Sequence, residues 1–143
     1  MRILFLCTGN SCRSQMAEGW ARALKPEFDV HSAGVAKLGL NPMAVRVMAE
    51  AGVDISGQRS KTVDELGDLA FDWVVTVCGH ANEQCPMFPG RAKRAHVGFD
   101  DPPRLASSAA TEQEALDIYR RVRDEIKAFV AGMPENLSSG PDD

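Results

Sequence analysis

The chain has 143 residues, a net charge of −4 and 44% apolar content, which suits a single domain with a core of its own. There is no basic cluster beyond Arg91-Ala92-Lys93-Arg94, which argues against nucleic acid as the main partner, and no apolar run is long enough to span a membrane. No signal-peptide pattern is present, so the expected compartment is the reducing cytoplasm, where four cysteines read as catalytic, redox or metal-binding rather than as structural bridges.

Ile3-Leu4-Phe5-Leu6 reads as a buried strand. It runs into the polar loop Cys7-Thr8-Gly9-Asn10-Ser11-Cys12-Arg13-Ser14, and Gln15 to Leu24 reads as the helix that follows. A loop that ends a strand and opens a helix presents unpaired N–H groups and a positive dipole end to an anion. Gly9 is expected to supply an unusual backbone conformation. Arg13 supplies a two-pronged donor for a tetrahedral oxyanion, and the same positive features favour negative charge on the Cys7 sulfur. Ser14 stands ready to donate to that sulfur. Cys7 alone could be a core cysteine; the strand–loop–helix setting makes it a nucleophile inside an anion cradle.

Phe28 to Ala33 reads as a second strand stopped by Gly34, and Asn41-Pro42 opens a helix with its apolar stripe at Ala44, Val45, Val47, Met48 and Ala51. Residues 53–61 read as polar and irregular. Thr62 and Glu65 have the spacing of a capping box for a short helix. Trp73 to Val77 reads as a buried strand with Cys78 at its carboxyl end, and Lys93 to Val97 as an edge strand. The loop Gly98-Phe99-Asp100-Asp101-Pro102-Pro103 follows. A second capping box at Thr111 and Glu114 opens a long helix with Leu116, Tyr119, Val122, Ile126, Phe129 and Val130 on its apolar face. Residues 132–143 read as a disordered tail, which puts the domain at 1–131. Alternating strands and helices predict an α/β fold: a four-stranded parallel sheet with helices on both faces and ligands at the carboxyl ends of the strands. Cys7, Cys78 and the Asp100–Asp101 loop meet at that edge.

Attack on a tetrahedral oxyanion needs a proton donor for the departing oxygen, and Asp101, set by Pro102, is the candidate; Asp-Pro is also a common turn. Cys78 and Cys85 are seven residues apart. On a helix their Cα atoms would stand ~10.5 Å apart, beyond the ~7 Å that a disulfide allows. They read either as two buried apolar thiols or as a redox pair whose intervening segment must unwind, and a reactive Cys7 favours the pair. Cys12 has no necessary role, although oxidation could pair it with Cys7. Glu18 and Ser32 read as surface or capping residues, Met16 and Trp20 as packing. No metal is expected: there is no C-x2-C pair, and the histidines at 31, 80 and 96 lack ligand spacing.

The loop resembles the C-x5-R-S signature of the low-molecular-weight tyrosine phosphatase fold. The strings CTGNSCRSQMAEGW, VVTVCGHANEQCP, GFDDP and RVRDEI are similar to those of the thioredoxin-coupled arsenate reductases on that fold. The resemblance implies that Cys7 is the nucleophile, that Thr8, Gly9, Asn10, Ser11, Cys12, Arg13 and Ser14 cradle the anion, that Asp101 is the acid, and that Cys78 and Cys85 form a disulfide relay. It implies arsenate as substrate, with phosphate or sulfate as other occupants. It also implies thioredoxin or another thiol as external reductant, and no bound cofactor. Some relatives hold potassium on residues matching Asn10, Glu18 and Ser32. A further acidic ligand there aligns with Lys61, whose own charge could replace the ion, so no potassium is expected. Two other readings stand beside this one: a phosphatase, for which Pro103 and Arg104 replace the aromatics that would grip phosphotyrosine, and a non-catalytic oxyanion or redox sensor.

Overall fold

The fold comes from a computed structural model that describes residues 1–78 and 92–137, and Cys78 by its main chain alone. Cys85, the predicted switch segment and the last part of the predicted tail lie outside the described residues.

Strand β1 (Arg2–Cys7) pairs in parallel with β2 (Asp29–Gly34) on one side and β3 (Trp73–Cys78) on the other. Strand β4 (Lys93–Phe99) pairs in parallel with β3, giving the order β2-β1-β3-β4 and leaving β4 at the predicted edge. β1 is central, so Ile3 to Cys7 are buried on both faces, which explains an apolar run without alternation. Ile3, Phe5 and Cys7 face the larger core, and Leu4 and Leu6 the smaller one. The larger core is closed by α1 (Arg13–Leu24), α2 (Pro42–Glu50) and α4 (Glu112–Ala131). The smaller is closed, among the described residues, by the 3-10 turn Val63–Leu66 with Phe71 and Leu69.

Local signals act where the sequence puts them. Asn41 Oδ1 accepts from Met43 N and Ala44 N at 2.8 and 3.2 Å, with Pro42 next, and α2 starts there. Glu65 accepts from Thr62 N at 2.8 Å, but the turn it closes is 3-10, not α. Thr111 Oγ1 accepts from Glu114 N at 3.1 Å, while the Glu114 carboxylate takes Ala110 N instead of closing a reciprocal box. β4 runs on through Phe99, and the predicted loop contains the short helix α3 (Pro102–Ala106).

The domain edge needs correction. Residues 132–137 are not tail: Met133 is fully buried, and Leu137, 8% exposed, joins the same core. Two apolar side chains four residues apart hold a stretch whose Gly, Pro and Asn content reads as unstructured.

Candidate active site

β2 continues on one side of β1 and β3 on the other, so the strand order reverses at β1 and opens a crevice at its carboxyl end. Cys7 is the last residue of β1, and residues 8–12 turn from it into α1. The loop's carbonyls are tied down from outside. Ala36 N donates to Thr8 O, Leu38 N to Gly9 O, and Asn41 N to Ser11 O, each at 3.0 Å; Gln15 Nε2 donates to Asn10 O at 3.1 Å. In a trans peptide the N–H points opposite to the C=O. Anchoring these four oxygens therefore turns the N–H groups of residues 9–12 the other way, toward a cavity of about 330 Å³. Cys7, Thr8, Gly9, Ser11, Cys12, Arg13 and Asp101 line it, joined by Leu38, Asn41 and Pro103, which the sequence did not single out. Such converging N–H groups at a helix start bind anions.

Two glycines allow this, for a reason other than the expected one. The left-handed residue of the loop is Asn10, at φ 47°, not Gly9. Gly9 leaves room for Leu38 to lie over it: a Cβ there would stand 2.6 Å from Leu38 Cδ1 and push that exposed side chain aside. Gly34, opposite Cys7 in the sheet, lets the backbones touch: a Cβ there would sit 2.7 Å from Thr8 O and 2.8 Å from Asn10 N.

The Cys7 sulfur is 2.8 Å from Ser14 Oγ. Asn10 Nδ2 donates to that same oxygen at 2.8 Å, which leaves the Ser14 proton for the sulfur. Cys12 differs: burial first, then the neighbouring Cys7 charge, pushes its thiol well above the ordinary range, so it stays a neutral lining group. Arg13 Nη1 donates to Phe99 O at 3.0 Å, and Nη2 lies 3.7 Å from Asp101 Oδ1. Arg13 thus holds the end of β4 and faces the candidate acid. Phe99 pairs with the Cys78 main chain past an irregularity at Thr76–Cys78, so Cys78 belongs to the same sheet edge.

Beneath the loop runs a buried polar network. Glu18 and Ser32, read from sequence as surface or capping residues, are 3% and 0% exposed. Asn10 Nδ2 donates to Ser32 Oγ at 3.0 Å, and Ser32 Oγ donates to Glu18 Oε1 at 2.5 Å. Arg22 Nε donates to Glu18 Oε2 at 2.9 Å, and Lys61 Nζ stands 3.8 Å from Glu18 Oε1. Burial lowers the Lys61 pKa, and Glu18 opposes that. Gln15, fully buried, accepts from Gln58 Nε2 at 2.8 Å and donates to Asn10 Oδ1 at 3.0 Å; Lys61 N donates to the same oxygen at 2.8 Å. These residues do not fit a potassium ion: Asn10 Oδ1 is committed to N–H donors, and the Lys61 ammonium already supplies the positive charge. A readable signal existed, since Ser14, Glu18 and Arg22 lie four apart on one stripe of α1. Among the described residues, no cluster of three or more His, Cys, Asp or Glu side chains could hold a metal, and no helix is long and apolar enough to cross a membrane.

The chain is similar to the arsenate reductases of Halalkalibacterium halodurans and Bacillus subtilis, each 54% identical over 125 residues, which is 87% of this chain and 88% of the relative. Among solved structures it resembles an arsenate reductase in the phosphate binding state, with a TM-score of 0.76 and 30% identity over 96% of this chain and 98% of the other. Residues 2–140 match the low molecular weight phosphotyrosine protein phosphatase family, and the chain belongs to that family.

Proposed function

We propose that this protein reduces arsenate to arsenite, with Cys7 as nucleophile and Cys78 and Cys85 as its disulfide relay. The observation that carries the reading is the Cys7 sulfur bonded to Ser14 in the floor of a cradle of anchored N–H groups, in a chain 54% identical to arsenate reductases. Arsenate binds the N–H groups of the loop and the Arg13 guanidinium. Cys7 sulfur attacks arsenic, and Asp101 gives its proton to the departing oxygen, which leaves as water. Cys78 then attacks the Cys7 sulfur. The S–As bond breaks with its electron pair going to arsenic, so arsenic leaves as arsenite and a Cys7–Cys78 disulfide remains. Cys85 attacks Cys78, frees Cys7 and carries the disulfide to Cys78–Cys85, where an external thiol reductant of the thioredoxin class restores both thiols. That electron supply suits the reducing cytoplasm.

The test is arsenate-dependent NADPH oxidation in the presence of thioredoxin and its reductase. Cys7→Ser is expected to abolish turnover. Cys85→Ser is expected to stop after one turnover with a Cys7–Cys78 disulfide, found by peptide mapping, and to keep any hydrolysis of a small aryl phosphate. Full steady-state turnover in Cys85→Ser refutes the relay.

A further inference from the structure

Asn41 joins three parts of the molecule. Its main-chain N–H donates to Ser11 O at 3.0 Å, its Oδ1 caps α2 through Met43 N and Ala44 N, and its Nδ2 donates to the Tyr119 hydroxyl at 3.2 Å. Asn41 also lines the anion cavity, whereas Tyr119 is 3% exposed on α4, a helix packed against α1, α2 and α3. With Oδ1 on two N–H donors, the amide has one way round, and its NH2 group must find an acceptor on the α4 side. The phenol is that acceptor.

We propose that Tyr119 and Asn41 are positioning residues for the oxyanion: the phenol holds the Asn41 side chain, Asn41 holds the Ser11 peptide, and that peptide aims the Cys12 N–H into the cradle. The proposal rests on residues 7–14 being the anion site. The Ser11 carbonyl has its anchor in Asn41 N, and turning that plane would swing the Cys12 N–H away from the cavity. The phenol rides on a 20-residue helix whose buried face includes Leu116, Val122 and Ile126, so the anchor is rigid. Burial raises the phenol pKa against the opposing Asn41 bond, so Tyr119 stays neutral and adds no repulsion to an incoming anion.

Two variants break the link differently. Tyr119→Phe keeps the ring in the core and removes the acceptor. Asn41→Ser keeps a capping oxygen for α2 but does not reach the phenol. Binding of inorganic phosphate is measured by calorimetry, and arsenate turnover by NADPH oxidation with thioredoxin and its reductase. Each variant is expected to raise the phosphate Kd and the arsenate KM about three- to tenfold with kcat within twofold, the signature of lost uniform binding. The double variant is expected to be no worse than the more damaging single, because both remove one link. A lower melting temperature with unchanged Kd and KM reduces the pair to a packing role and overturns the proposal, as do additive effects in the double variant. Wild-type protein that binds no phosphate overturns the cradle reading and this proposal with it, whereas normal wild-type binding with unchanged Tyr119→Phe affinity overturns the positioning role alone.

Discussion

Replacing Glu18 with Gln tests the buried network at its most charged point. The change keeps the shape and one acceptor oxygen, enough for Ser32 with the amide NH2 turned toward the half-exposed Arg22, but leaves the Lys61 ammonium, only 14% exposed, without the carboxylate 3.8 Å away. At that distance and an effective dielectric constant of about 20 the lost attraction is about 4 kcal/mol. Lys61 can shed its proton or lean toward water, so the expected loss in unfolding free energy at pH 7 is about 2–4 kcal/mol. In melting temperature that is a fall on the order of 5–15 °C. Urea unfolding at several pH values provides the discriminating readout. The Lys61 pKa is lowered in the fold by burial, so between its folded value and the ordinary 10.5 the unfolded chain binds more protons and stability rises with pH. Without Glu18 the folded value drops further, and the gain begins at lower pH. The gap between wild type and Glu18→Gln must therefore shrink as pH approaches 10.5. Adding Lys61→Met to Glu18→Gln is expected to recover most of the loss at pH 7, because no buried unpaired charge then remains and the Arg22 guanidinium, more than half exposed, is left to water. A loss below about 0.5 kcal/mol, or a gap that stays constant from pH 7 into the alkaline range, refutes the charge pairing.

Two further expectations concern the loop itself. Ser14→Ala removes the hydroxyl 2.8 Å from the Cys7 sulfur; a bond to a charged group contributes about 1.5–3 kcal/mol, so kcat/KM for arsenate should fall about ten- to hundredfold, and a fall under threefold would show that Ser14 does not support the nucleophile. Asp101→Asn should slow formation of the first Cys7–arsenate adduct in single-turnover experiments while phosphate binds at least as tightly, since Arg13 loses a competing carboxylate 3.7 Å away. Weakened phosphate binding with a normal adduct rate would make Asp101 structural.

The strand, the loop and the helix of the site were legible because each carries its own local signal: an unbroken apolar run, a polar turn between Cys7 and Arg13, and apolar spacing after it. The caps at Asn41 and Thr111 were legible for the same reason. What the chain does not display locally is which polar residue becomes buried. Glu18 and Ser32 look like surface groups because a carboxylate and a hydroxyl usually face water; their burial depends on Lys61 and Asn10 arriving from other segments, and only the Arg22 partner of Glu18 lies on the same helix. The segment 53–61 looked irregular, and it is, yet it delivers Gln58 and Lys61 to the underside of the loop. Met133 and Leu137 were hidden by the composition around them.

Because the carbonyls of residues 8–11 are held by bonds from outside the loop, the N–H groups converge before any anion arrives. A cradle built in advance recognises three things: tetrahedral shape, negative charge and oxygen size. Phosphate shares the first two with arsenate and nearly matches the third. On the mechanism proposed above, discrimination by affinity is weak and falls to the step after binding, where an arsenic–sulfur bond can break with its electrons going to arsenic and a phosphorus–sulfur bond resists doing so. The protein would sort its oxyanions by redox chemistry rather than by fit, with phosphate as a standing competitor that sets the arsenate concentration at which turnover begins.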